Sequence, residues 1–340
     1  MPAFPRIRIP IDRYLMLLLG AVALGLALPA RGPAHGVVED LVYVAVAALF
    51  FLYGARLSPG AVWSGLANWR LQLLVLASTF VLFPVVGLGV GHLAKSFLPG
   101  DLALGLIFVA LLPSTVQSSI AFTSIARGNV PAALCSASIS NMLGVVVTPL
   151  LASVILTGQG GLTLHGIADI GLQIILPFAV GQAVRPFTAT WLLRHPALTQ
   201  AFDRGSILVI VYAAFSAGAV AGVWSRVSAA DLGVILALDL VMLGAVLVAT
   251  TLISRRLGFS KEDEIAIVFC GSKKSLASGM PIAAIIFPGH VVALIVLPLM
   301  LFHQAQLFAC AILARRYGAR PEATTRDNGG ALKPAAAHAV

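Results

Sequence analysis

Apolar residues along this chain gather into long runs separated by short polar linkers. A helix needs about 17–25 predominantly apolar residues to cross the hydrocarbon layer of a bilayer. Runs of that kind cover residues 14–30, 37–54, 70–94, 102–126, 130–156, 163–185, 205–224, 231–253, 264–287 and 291–316. They predict an all-α integral membrane protein with ten transmembrane helices. The polar stretch RPEATTRDNGGALKPAAAHAV begins at Arg320 and has the composition of a disordered segment, so residues 319–340 are predicted to be a disordered cytoplasmic tail. Composition agrees: 59% of the 340 residues are hydrophobic, only 10% are charged, and the mean hydropathy is +0.98. Soluble domains carry roughly 25% charged residues.

A net charge of +9 invites a nucleic-acid partner, but the placement of the charge excludes one. With the N-terminus in the cytoplasm, Arg31, Lys95 and Arg226 fall outside, Lys273 and Lys274 fall within a span, and all other Lys and Arg residues fall on the cytoplasmic side. That asymmetry is the positive-inside pattern of a cell-membrane protein with both termini cytoplasmic. The lipid bilayer is therefore the predicted environment. Arg6, Arg8 and Arg13 ahead of the first run also fit a signal peptide, yet cleavage would spoil the charge pattern, so the run counts as a span. Cys135, Cys270 and Cys310 lie in apolar runs without metal-ligand spacing, and neither G-x-S-x-G nor a P-loop occurs. No enzyme, cofactor or nucleotide-driven pump is indicated.

Two runs are interrupted. The fourth reads LLPSTVQSSIAFTSIARGNV (111–130) and the ninth FCGSKKSLASGMPIAAIIF (269–287), and each closes on a similar tetrapeptide, RGNV or PGHV. Five runs precede TGQGG (157–161) and five follow it, so the two halves insert in opposite orientations. Repeats over 1–156 and 157–318 are predicted. Pro113 and Gly271 mark the helix breaks. Ser114, Thr115, Gln117, Ser118 and Ser119 after the first, with Ser272 and Ser275 in the second, supply groups that satisfy freed backbone. Interrupted helices at corresponding places in inverted halves point to a transporter's binding site.

Lys273 and Lys274 sharpen the question, because each lysine at mid-span costs about 2.5–3.5 kcal/mol. Snorkelling would have to reach past about nine residues, roughly 13 Å of helix, from Glu264. An ion pair with Asp239 and a transport role are the other readings, and they are compatible. Asn141 is either a core hydrogen-bonding residue or an ion ligand. His303, Gln304 and Gln306 either line the interior or bond across helices.

The segments LPSTVQSSIAFTSIARGNV, SISNMLGVVVTPLL and EDEIAIVFCGSKKSLASGMPIAAIIF resemble the bile acid:sodium symporter superfamily, specifically its SBF-like branch. The resemblance runs from the first span to about Tyr317. It implies two inverted five-helix repeats whose broken fourth and ninth helices cross at mid-membrane. A core domain of helices 3–5 and 8–10 would move against a panel of helices 1, 2, 6 and 7. In sodium-coupled members the ion is held by oxygens around that crossing. The resemblance places Ser118 or Ser119 at the polar pair of helix 4, with Ser138 and Asn141 near the helix-5 positions where Ala133 and Ala137 replace hydroxyls. Ser118, Ser119 and Asn141 are thus candidate sodium ligands. At the second sodium site, Cys270 stands at the glutamate, Lys274 at the glutamine, Lys273 at a methionine that contributes backbone, and Thr79 at the helix-3 glutamine. Its carboxylate and amides are absent, and an ammonium offers three donors and no acceptor, so one lysine is expected to stand in for the ion, and the resemblance favours Lys274, whose matched position provides a side-chain ligand. The implied function is secondary active transport of an anionic organic solute by alternating access, with sodium or a proton as coupling ion. A membrane sensor that keeps the fold without transport is the alternative.

Overall fold

The computed structural model describes residues 13–56, 68–156, 171–287 and 289–320, and among these residues the regular structure is entirely helical. Hydrocarbon offers no water to backbone polar groups, so each segment must satisfy its own, which a helix does. In chain order the elements are α1 (Arg13–Ala27), α2 (Pro33–Arg56), α3 (Trp69–Ala94), α4 (Gly100–Leu111), α5 (Gln117–Ile125) and α6 (Val130–Leu156). Then follow α7 (Leu176–Arg194), reached through a π-helical turn at Gly171–Ile175, α8 (Pro196–Val220), α9 (Ala229–Arg256), α10 (Lys261–Gly271), α11 (Leu276–Ile286) and α12 (Gly289–Gly318). Six of these, α2, α3, α6, α8, α9 and α12, are long and apolar enough to cross a membrane alone. The 157–161 linker, the start of the sixth run and the tail from 321 lie outside the described residues.

Large apolar side chains such as Leu73, Val85, Leu150, Val154, Val241 and Val248 point outward from these helices. In water such a surface would drive aggregation; in a bilayer it meets acyl chains. The polar ends are capped locally. Ser228 and Asp231 form a capping box at the start of α9, and the Ser260 hydroxyl accepts from Asp263 N at the start of α10, where Glu262, Asp263 and Glu264 also favour the positive end of the helix dipole.

Two packing groups emerge. Helix α2 lies along α7, and α1 along α8. The other group holds α3, α4, α5, α6, α9, α10 and α12, with α12 packed on α4, α5 and α9. Helix α8 joins them through α11 and α12. The arginine-bearing helix ends of the second group share one face. Arg70 at the start of α3 donates to Leu257 O past the end of α9. Arg255 bonds the buried Glu264, and Arg320, after α12, bonds Ala126 O, Arg127 O and Glu262.

Candidate functional site: two crossing helix breaks and a cavity

Pro113 has no N–H and disfavours helical geometry at the residue before it. Accordingly Leu112 turns extended (φ −75°, ψ 155°) at the end of α4, and α5 resumes at Gln117. The second break spans 272–275 between α10 and α11, where the Ser275 hydroxyl caps α11 by accepting from Ser278 N. The two breaks touch, since Ser275 N donates to Pro113 O at 2.9 Å. Small residues permit the approach. A Cβ on Gly144 of α6 would lie 2.5 Å from Pro113 Cβ, and one on Gly279 of α11 the same distance from Leu112 Cδ1.

A broken helix leaves carbonyls without partners at its C-terminal end, the negative end of its dipole. Lys274 answers that need. Its Nζ donates to Ala110 O at 2.8 Å and Leu112 O at 2.7 Å, at the end of α4, and to Thr79 O at 2.9 Å. Thr79 lies in a π-helical turn within α3 (Ser78–Leu82), which shifts its carbonyl out of α-helical register. All three ammonium protons are used, and the Phe83 ring covers the remaining face at 4.2 Å. The Gln306 side chain of α12 fixes the lysine backbone, accepting from Lys274 N and donating to Lys274 O, both at 2.9 Å.

Lys273 faces elsewhere. Its Nζ lies 4.0 Å from the Phe122 ring centroid and 5.7 Å from that of Phe269, and has no hydrogen-bond acceptor among the described residues. Both lysines are fully buried, so neither snorkels to an interface. The ion pair with Asp239 does not form: both Asp239 oxygens are buried without a hydrogen-bond partner among the described residues, and the nearer demand on Lys274 comes from the three carbonyls.

The hydroxyls after Pro113 bond one another and the second break. Thr115 Oγ1 pairs with Ser118 Oγ (2.7 Å) and Ser119 Oγ (3.0 Å), and Ser119 also donates to Phe269 O (3.0 Å). Ser114 N donates to Ser140 Oγ, and Asn141 Nδ2 to Ser114 O and Ala137 O. Ser278 Oγ donates to Asn141 Oδ1 at 2.9 Å. Ser272 turns back on Val268 O in its own helix. Ser118 and Ser119 thus share Thr115, whereas Asn141 belongs to a separate set of bonds in which its oxygen is already engaged.

A cavity of about 700 Å³ opens beside the crossing. The breaks and α6 contribute Pro113, Thr115, Gln117, Ser118, Ser138, Asn141 and Ser275 to its lining, and the α1, α2, α7 and α8 side contributes Tyr14, Phe50, Tyr53, Phe178 and Ile207. Ser114, Ser119, Asp239, Ser272, Lys273 and Lys274 are not in the lining, and Gly271 packs against Ser78 instead. Three charged lining residues carried no signal in the sequence: Arg56, Asp203 and Arg204. The arginines read as topological charge, and nothing in one dimension distinguishes an arginine at a helix end from one facing a cavity. A second cavity of about 460 Å³ lies toward the other end of α2, lined by His35, Glu39, Gln173 and Ser216 among others. Ile282 lines the first and Ile285 the second, so α11 divides them within one turn.

Residues 12–319 match the SBF-like CPA transporter family. An uncharacterized protein of Pseudomonas aeruginosa is 49% identical over 312 residues, covering 91% of this chain and 93% of its own. A protein of Escherichia coli named "Putative symporter YfeH" is 45% identical over 314 residues, covering 92% and 94%. Sodium/bile acid cotransporter 7-A of Xenopus laevis is 30% identical over 278 residues, covering 80% and 81%.

Proposed function

This chain belongs to the SBF-like CPA transporter family, and from that premise we propose that it is a secondary carrier that moves an anionic organic solute by alternating access. It is a multi-pass membrane protein of a transporter family rather than an enzyme. The observation that carries the solute reading is the cavity of about 700 Å³ between the crossing breaks and α2 and α8, within the usual range of small-molecule sites, about 300–1,000 Å³. A second cavity on the far side of α11 supports two access routes to one barrier.

The repeat organisation is proposed with it. A long helix, a broken pair and another long helix occur in the order α3, α4 with α5, α6, and again as α9, α10 with α11, α12. That recurrence supports inverted repeats over 1–156 and 157–318, with ten spans in all. The helix ends bearing Arg70, Arg255, Arg256, Arg315 and Arg316 would be cytoplasmic, as basic-residue asymmetry favours.

Coupling follows from Lys274. Relatives are named sodium/bile acid cotransporters, and half-helix C-terminal carbonyls are a recurrent cation site in carriers. Here the tethered ammonium fills those carbonyls, so solute binding is proposed to need no sodium at this position. Any sodium dependence would come from the Ser118 and Ser119 hydroxyls, with a proton as the other candidate coupling ion.

A thermal-shift screen of the purified protein against organic anions, with and without sodium, tests the proposal, because a ligand that binds the folded state raises its stability by mass action. Stabilisation by an organic anion in sodium-free buffer, with saturable flux of the same anion in proteoliposomes, is the expected result. Binding without flux would instead favour a sensor. Stabilisation that still requires sodium after Ser118→Ala and Ser119→Ala would defeat the tethered-cation reading.

A further inference from the structure

The wall of the larger cavity carries an ion pair that a merely cationic site would not contain. Arg56, at the end of α2, donates from Nη1 to Asp203 Oδ2 of α8 at 2.6 Å. The two side chains keep 28% and 21% of their exposure, so the pair faces the cavity instead of being sealed behind it. Asp203 is only half satisfied, since its Oδ1 is buried without a hydrogen-bond partner among the described residues. Arg204, the next residue, holds its guanidinium 5.2 Å over the Tyr14 ring and forms no ion pair among the described residues.

Two guanidiniums and one carboxylate therefore line the same space. Asp203 sits well inside α8, past the first turn, and holds Arg56 by a single oxygen. A partly exposed pair held through one oxygen is weaker than a bidentate one, and a free organic carboxylate can engage a guanidinium with both oxygens.

We infer that Asp203 is a built-in competitor for the solute's anionic group: its carboxylate holds Arg56 in this structure, and an incoming organic carboxylate or sulfonate takes that guanidinium, together with Arg204, by displacing it. The inference rests on the organic-anion reading above and adds to it the place of the charge and the means of selection. A neutral solute cannot displace the aspartate, so the pair discriminates against uncharged molecules of the same shape. Re-formation of the pair on departure helps release the anion. The same cavity is lined by Ser138 and Asn141 and by the apolar side chains of Phe50, Phe178 and Ile207. The solute that fits has one anionic end and an apolar body.

Cholate and its uncharged primary amide are suitable probes, titrated calorimetrically into the full-length protein in nanodiscs. The parent should prefer cholate. Asp203→Asn should tighten cholate binding by roughly two- to fivefold, as expected for loss of a partly exposed competing pair, and leave the amide unchanged. Arg204→Gln should weaken cholate and spare the amide. A parent that prefers cholate, joined to an Asp203→Asn variant that binds it no more tightly, overturns the inference while the organic-anion reading stands. A parent with no preference between the probes, or binding neither, overturns both. Should Asp203→Asn fail to fold, infrared difference spectra of the parent decide: cholate must shift the Asp203 carboxylate stretch, assigned by its displacement in Asp203→Glu. A band unmoved at saturation sinks the idea.

Discussion

Two adjacent lysines with the same burial have opposite worth. Removing an ammonium from water costs several kcal/mol, and only Lys274 recovers it, through three charge-assisted bonds to carbonyls that the break itself sets free. Lys274→Met would leave those carbonyls unpaired and should lower stability by about 3–5 kcal/mol, read as a fall in the thermal midpoint in detergent. Lys273 meets the Phe122 and Phe269 rings and has no hydrogen-bond acceptor among the described residues. Replacing a buried charge that lacks a hydrogen-bond partner by an apolar side chain of similar volume removes its uncompensated desolvation cost, so Lys273→Met should melt at or above the parent temperature. Equal losses in the two variants would contradict the geometry. The sequence showed that both lysines lie deep in a span, since they sit within the ninth run. Spacing could not show which of them meets the carbonyls, because a helix break removes the fixed 100° between neighbours; only the resemblance favoured Lys274.

At the scale of elements, Pro113 was legible because its chemistry is local: a missing donor and a restricted neighbour break a helix wherever they stand. The contact between α2 and α7 was not. On Gly54 an added Cβ would run into Phe178 O, and on Gly181 into Phe51 O, so the two backbones meet glycine to glycine. Glycines that let helices approach closely are a recurrent device of membrane proteins, but which glycine faces a partner depends on the partner. Gly54→Ala and Gly181→Ala should each destabilise by about 1–3 kcal/mol through overpacking. Together they should cost less than the sum, because the first already forces the helices apart. Gly36→Ala, on α2 with no atom within 4 Å of its added Cβ, is the control and should be neutral. Since alanine has the higher helix propensity, a loss at Gly36 matching that at Gly54 would mean that lost backbone flexibility, rather than contact, sets the effect.

The orientation of the whole molecule rests on charge and can be tested against a clean background, because Cys135, Cys270 and Cys310 are all buried. Ser225, exposed in the turn between α8 and α9, and Arg256, exposed at the far end of α9, should report opposite sides. Ser225→Cys should react with an impermeant thiol reagent in intact cells. Arg256→Cys should react only once the inner face is opened. The reverse pattern would invert the proposed topology, and reaction of both from outside would remove α9 as a span.

Hydrophobic run length and the position of basic residues act without reference to any partner, because the bilayer that reads them is the same everywhere. They determined the membrane class, the helical fold and the approximate limits of the long helices, while Pro113 and Gly271 marked the two places where helices stop inside a run. The resemblance of the interrupted segments pointed to the family as well. What only tertiary structure decided are relations between segments remote in the chain. Thr79, Ala110 and Leu112 converge on Lys274, Asp239 is left without either lysine, and Arg56 meets Asp203 across 147 residues. Each depends on which backbone oxygen or side chain arrives within about 3 Å, and that distance is set by helix packing.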